Sequence, residues 1–335
     1  MAVTKTTQKN QDLARLLTAA SCALIGSLSA SVNAADNWDV DSAFLLYSES
    51  DGRVSAAEPV ISATKNYDEE TKLNIKLAAD TLTGASPNGA TPSDQVQTFT
   101  SPSGKGSYAA TAGEQPLDDT FKDTRIALSS NWSAPIDRDW AYGVGGYLSK
   151  EHDYQSLGLN GSLSRYLNQK NTTLTLGVNL SSDSINPEGG VASLYWQTKY
   201  QFDNNDILDV SYRYMFDDWG INSHTIDAKY RFRFDNQYLE PQLRWYTQSK
   251  ADFYHRYLNS SDYTSAEFAS ADYRLGDLDT YTIGLKYGYQ FADETEFYTR
   301  FSLYHQESSG DKGYGKLTTQ ELYPGLDAAM LIVGY

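Results

Sequence analysis

The sequence predicts an all-β protein, an antiparallel up-and-down transmembrane β-barrel of about 14 strands, and three observations carry that prediction. Apolar and polar residues alternate along most of the chain. The alternating runs are about ten residues long with Tyr and Phe gathered near their ends, the length and girdle that tilted barrel strands need. The links between runs also alternate in length, which a soluble sandwich has no reason to do.

The stretch 206–247 shows the pattern most clearly. Leu208, Val210, Tyr212, Tyr214 and Phe216 alternate with Asp209, Ser211, Arg213 and Met215, so an extended chain has one apolar and one polar side. After DDWGINSH the pattern returns as Ile226, Ala228, Tyr230, Phe232 and Phe234 against Asp227, Lys229, Arg231 and Arg233. After DNQ it returns again as Leu239, Leu243 and Trp245 against Glu240, Gln242 and Arg244.

Composition fits this class. The 335 residues include 26 Tyr and 24 Gly, and the formal net charge is -16. The mean hydropathy of -0.53 does not oppose a membrane protein, because only every second residue of a barrel strand meets lipid. Downstream of the amino terminus no apolar run reaches the roughly 20 residues that a spanning helix needs.

Residues 1–34 read as a signal peptide. Lys5, Lys9 and Arg15 form a basic region, Leu16 to Leu28 an apolar and small-residue core, and Val32-Asn33-Ala34 a cleavage site. Its removal leaves the mature chain still more acidic. The lone Cys22 lies in this segment, and only Leu16 to Ser21 separates it from Arg15, too short an apolar run for a lipoprotein signal. The mature chain then has neither disulfides nor thiolate metal ligands. Closing a barrel satisfies the backbone without them.

Residues 35–335 are expected to form one barrel domain. Trp38, Val40, Phe44 and Leu46 open the first strand. Val54 to Lys65 is a weaker second strand, because Pro59 cannot donate to a ladder. Leu73, Ile75, Leu77 and Ala79 mark the third. A long loop at 83–119, rich in Gly, Pro, Ser and Thr, follows, and a loop of that length serves function or moves. Strands then run through Ile126 to Trp132, Trp140 to Leu148, Leu157 to Leu167, Leu174 to Leu180 and Leu194 to Phe202 into the three above. A Tyr-rich loop at 251–276 leads to strands at Tyr281 to Phe291 and Phe297 to Leu303. A last loop at 308–326 precedes Met330 to Tyr335.

NYDEET, APIDRD, NQKN, DNND, DNQ and ADETE are the short links, and those between them tend to be longer. That parity places both termini and the short turns on the periplasmic side and the long loops outside.

With the apolar face outward, eleven cations face the lumen: Lys72, Lys76, Arg125, Lys199, Arg213, Lys229, Arg231, Arg233, Arg244, Lys286 and Arg300. Asp209, Asp227 and Glu240 point the same way, which leaves a cationic-leaning wall that favours anions. The plainer alternative is that these residues only pair with inward acids and water to fill a polar interior. Acids such as Asp118, Asp119, Asp217, Asp218, Asp272 and Asp277 crowd the links, without calcium-loop spacing, and read as a solvated surface. Ser223-His224 near Asp217 and Asp218 invites a hydrolase reading, but adjacent strand residues point to opposite faces. No catalytic residue, metal site or cofactor is assigned, and no phosphate loop, dinucleotide fingerprint or haem-attachment motif occurs.

The segments WDVDSAFLLYSESDGRVSAAEPVISATK, DTLTGASPNGATPSD, DTFKDTRIALSSNWS, SKEHDYQSLGLNGSLSR, SLYWQTKYQF, YRYMFDDWGINSHTIDAKYRF and ASADYRLGDLDTYTIGLKYG resemble the bacterial family numbered 3570 in the domain-of-unknown-function series. The resemblance spans nearly the whole mature chain. It implies an outer-membrane barrel and supplies no activity or functional residues; it also implies genes for a flavin transferase and small secreted or lipoprotein partners nearby, and so an envelope redox role. At Ile185 to Ser193 family members carry a further segment that could hold another hairpin, and relatives continue a few residues past Tyr335.

The expected function is a passive pore or transport channel for small anionic solutes in the cell outer membrane. Its partners are outer-membrane lipid, lipopolysaccharide and the barrel-assembly machinery, with no nucleic acid. The alternative is a non-conducting scaffold or sheath for an envelope redox or surface complex with a secreted or lipoprotein partner, and the third reading is an outer-membrane hydrolase.

Overall fold

The computed structural model describes residues 38–50, 53–87, 93–100, 107–113, 117–151, 154–184, 188–255, 268–270, 272–292, 295–309 and 325–335. The signal segment, Cys22 and the sequence's proposed cleavage site lie outside the described residues.

Fourteen strands close into one antiparallel barrel, in the order β1 (Trp38–Glu49), β2 (Val54–Asn66), β3 (Lys72–Pro87), β6 (Leu117–Pro135), β7 (Trp140–Lys150), β8 (Gln155–Leu167), β9 (Thr172–Ser184), β10 (Gly189–Gln201), β11 (Ile207–Asp217), β12 (Asn222–Phe234), β13 (Gln237–Gln248), β14 (Asp277–Gln290), β15 (Glu296–Ser309) and β16 (Leu326–Gly334). Each strand pairs with its neighbour in the chain, because short links favour antiparallel hairpins. The last strand returns to the first, from Ala43↔Gly334 to Glu49↔Ala328, and Tyr335 and Ser42 exchange backbone hydrogen bonds of 2.7 and 2.8 Å. Closure leaves no edge along the spanning part of the sheet, which is what hydrocarbon demands of a β structure.

The structure changes the sequence reading in two places. The stretch at 83–119 is not wholly loop: β3 runs on to Pro87, β6 starts at Leu117, and a small hairpin, β4 (Gln97–Thr100) and β5 (Ser107–Ala110), lies between them. Phe99 and Tyr108 stack across that hairpin at 5.5 Å, a two-stranded pairing too short to show as periodicity. The alternation of link lengths is also narrower than expected. It rests on the links at 88–116, 249–276 and 310–325, whereas those at 50–53, 151–154, 185–188 and 218–221 are about as short as the turns at the opposite end.

Outward residues form an apolar belt. Leu159, Ile283 and Leu176 are 68%, 64% and 62% exposed, a surface that a water-soluble protein would bury. Rings collect at the short-turn end of the belt, with Tyr200–Phe202 centroids at 4.7 Å, Tyr230–Phe232 at 4.5 Å and Tyr289–Phe291 at 4.9 Å. Fourteen strands spaced by about 4.8 Å and tilted by about 40° give a backbone bore on the order of 25 Å, between small filled barrels and wide water channels.

Candidate functional site: the barrel lumen

Pairing register fixes which side chains share the inner face. All eleven cations named from the sequence fall on the face opposite the apolar belt. Lys199, Asp209, Lys229, Gln242, Gly284 and Ser302 follow one another across successive strands, and so do Glu240, Lys286 and Arg300.

Most of these cations are engaged. Arg125 bonds Asp80 at 2.6 Å and lies 3.9 Å from Glu58. Lys199 is 3.6 Å from Asp209, and Lys229 is 3.1 Å from Asp227. The buried Glu240 carboxylate holds Arg231 with one oxygen at 2.7 Å and Arg300 with the other at 2.8 Å. Lys286 reaches Glu296 at 3.3 Å while lying between the rings of Tyr238 and Tyr298, 5.2 and 3.8 Å from their centroids. Such cation–ring contacts add to the ion pair in a partly dry setting.

The sequence reading left out six acids on this face: Asp41, Glu58, Asp80, Asp123, Asp183 and Glu296. Counting parity from Leu46, Leu77, Ile126 and Leu180 would have placed all but the last. With them included, the wall as a whole is close to charge-balanced, so the expected general excess of cations becomes a local one. Among the described residues Lys72, Lys76, Arg213, Arg233 and Arg244 make no ion pair.

The wall is uneven in another respect. On β7, β8 and β9 the inward positions are mostly Gly, Ser, Asn and Thr, as in Gly143, Gly145, Asn160, Ser162, Gly177 and Asn179. Tyrosines lie flat over several inward glycines. A Cβ on Gly158 would sit 2.0 Å from the Tyr147 ring, and one on Gly288 would sit 2.2 Å from the Tyr238 ring. Glycine at those points lets the rings lie along the wall rather than across the bore. Asn131, Asn160, Lys72, Lys76 and Arg244 face inward yet are exposed, so solvent reaches the lumen from opposite walls.

At the long-link end a small apolar core forms over β11 and β12. Ile221, Ala251 and Tyr254 are buried there, packed by Met215, Trp219, Phe253 and Leu275. The Asp217 carboxylate ties the β11–β12 link by accepting from the backbone N–H of Trp219 at 3.0 Å and Ile221 at 2.8 Å. At the opposite rim Asp206 closes the β10–β11 turn. The Arg233 N–H at 2.9 Å, with the Tyr230 hydroxyl and the Asn204 amide, holds its carboxyl below the ordinary range.

The hydrolase pair does not assemble. Ser223 faces inward opposite Met215, whereas His224 faces outward opposite Tyr214, with its Nδ1 2.8 Å from the Tyr212 hydroxyl. His305 lies on the outer rim against Asp327 at 2.7 Å, and His152 is outside the described residues. No group of metal-ligating side chains occurs among the described residues.

Among solved structures, the chain is similar to the TodX deltaS2S3 mutant, a monoaromatic hydrocarbon channel, with TM-score 0.52 and 10% identity over 90% of this chain and 91% of that one. A FadL homologue of Pseudomonas aeruginosa gives 0.48 and 10% over 89% of each, and the KdgM porin 0.36 and 9% over 62% and 91%. The first of these likenesses shows the shared barrel fold. No curated protein matches the sequence. The family described as a protein of unknown function, DUF3570, matches residues 14–193 and 191–335, two segments that meet beside the β9–β10 link where the resemblance departs. Its matches cover the whole barrel, and the chain therefore belongs to the DUF3570 family.

Proposed function

We propose that this protein is a passive outer-membrane channel for small polar solutes, exported by its amino-terminal segment, with the short turns in the periplasm and the long links outside. The observation that carries this reading is the solvent reach of inward side chains on opposite walls, from Lys72 near one rim to Arg244 toward the other, inside a closed sheet. A lining of paired charges with Asn and Ser suits water and hydrated ions, and its few unpaired cations give a local preference for anions. Single-channel recording of the refolded mature protein tests this. Stepwise openings that pass chloride better than potassium are expected, with the preference shifted toward cations in Lys72→Glu with Lys76→Glu. A barrel that is folded, as heat-modifiable gel migration shows, yet passes no current would overturn the channel reading.

One feature favours a second reading, a non-conducting scaffold for a secreted or lipoprotein partner. The β6–β7 ladder stops at Ile126↔Lys150, so residues 117–125 of β6 pair with β3 on one side and carry a free ladder on the other. An added strand would fit that edge. A stoichiometric partner in pull-downs from envelope extracts, together with absent conductance, would favour it.

A further inference from the structure

Nearly every cation in the middle of the charged wall has a carboxylate partner, and two adjacent ones do not. Arg213 on β11 and Arg244 on β13 face the lumen across β12, whose residues between them are Thr225, in register with Arg213, and Asp227, in register with Arg244. Arg244 is the like charge acting on Arg213, and neither guanidinium is in an ion pair among the described residues. The Asp227 carboxylate is turned the other way: one oxygen is 3.1 Å from Lys229 and the other accepts from the Gln242 amide. What lies around the pair is hydroxyl and amide. The Thr225 hydroxyl is 3.5 Å from Arg213, Tyr246 lies close to both arginines with its hydroxyl donating to Gln248 at 2.6 Å, and Thr280 and Thr282 follow in register on β14. Met215, the next inward residue on β11, packs into the apolar core that covers this side of the long-link end.

Two guanidiniums held on the same rigid wall repel, and a bound anion relieves that repulsion. Each fork offers parallel N–H groups that match the oxygens of a carboxylate or phosphate, which a lysine pair would not do as well. Arg244 is exposed to the lumen, so an anion has access to the pair. The geometry points to an oxyanion-binding site at Arg213 and Arg244, selective for carboxylate- or phosphoryl-bearing small solutes over halide. This site deepens the channel reading, because it places a recognition step within the lumen that the reading assumes water fills.

The test is equilibrium binding to the refolded full-length mature barrel in detergent micelles, followed by calorimetry with inorganic phosphate and with acetate as probes in a chloride background. Saturable binding of at least one probe is expected. It should weaken at least tenfold in Arg213→Gln with Arg244→Gln, recover in part in Arg213→Lys with Arg244→Lys, and be unchanged in Arg165→Gln, whose guanidinium stacks on Trp140 at 5.2 Å on the outer face. Binding of phosphate alone would identify a phosphoryl site, of acetate alone a carboxylate site, and of both their shared oxyanion chemistry. Binding of neither probe, or binding unaffected in the folded double Gln variant, would overturn the proposal. Conductance does not enter this readout, so a silent barrel that still binds phosphate refutes the channel and leaves the site standing.

Discussion

Replacing Glu240 with Gln should weaken the barrel more than any other single charge removal in the lumen. The Glu240 side chain is 8% exposed, and it is the one carboxylate between Arg231, 25% exposed, and Arg300, 18% exposed. Gln keeps the shape and one acceptor but removes the charge, so two guanidiniums remain facing each other without compensation. Breaking a buried pair costs about 3–5 kcal/mol. Both arginines retain some lumen water, which screens them, and a loss of about 2 kcal/mol is the better expectation. For a chain of this size that corresponds to a fall of roughly 5 °C in the unfolding temperature. Heat-modifiable migration, read at one heating rate because barrel unfolding is irreversible, measures it. A second variant separates charge from packing: Glu240→Leu with Arg231→Leu and Arg300→Met removes all three charges and should return to within about 1 kcal/mol of the parent. A Glu240→Gln barrel that melts with the parent would refute the claim that the triad is dry enough to matter.

Two further substitutions test other levels of the structure. Leu159→Arg places a charge in the lipid belt and should cost about 2–4 kcal/mol, whereas Asn160→Arg, one residue along and facing the lumen, should stay within about 0.5 kcal/mol; equal effects in lipid-vesicle unfolding would refute the assignment of faces. Asp206 has its folded pKa lowered below 3.8, chiefly by the Arg233 N–H, so its contribution is complete above the unfolded pKa and is lost as pH falls through the folded value. Asp206→Asn should therefore destabilise the barrel at neutral pH, with a gap from the parent that stays constant down to about pH 5 and closes only below about pH 4; a gap that closes between pH 7 and 5 would contradict it.

The strands and their faces were legible because burial in lipid imposes a period of two on each strand. From Trp38 to Tyr335 every barrel strand that alternation marks is present, including the doubted one through Pro59. The charge state of the lumen was not legible to the same degree. Asp41, Glu58 and Asp80 lie on strands whose small outward residues give a weak alternation, so their facing had to come from register. Pairing depends on stagger between strands, and no single strand's pattern fixes stagger. The sequence places Arg231 and Glu240 on one face, but only the register sets Arg300 within reach of the same carboxylate. The β4–β5 hairpin was hidden for a different reason: four-residue strands give too few alternations to stand out from a polar loop.

The two strand prolines connect the ladder to the ion pairs. Proline cannot donate, and at each site the ladder is broken on one side only. Pro59 pairs with Phe44 of β1, but β2 and β3 lose register contact between Ala57↔Thr81 and Val60↔Ala78. Pro241 pairs with Leu285 of β14, but β12 and β13 lose it between Lys229↔Gln242 and Phe232↔Leu239. Glutamate precedes proline in both strands, and in both an inward arginine spans the gap. Arg125 holds Asp80 of β3 and approaches Glu58 of β2, and Arg231 of β12 holds Glu240 of β13. Charge-assisted bonds are roughly twice as strong as neutral ones, so each bridge can offset the ladder bond that its proline removes. These arginines are thereby committed to holding the wall together. That leaves Arg213 and Arg244, which lie beside intact ladder, as the guanidiniums free to act on a solute.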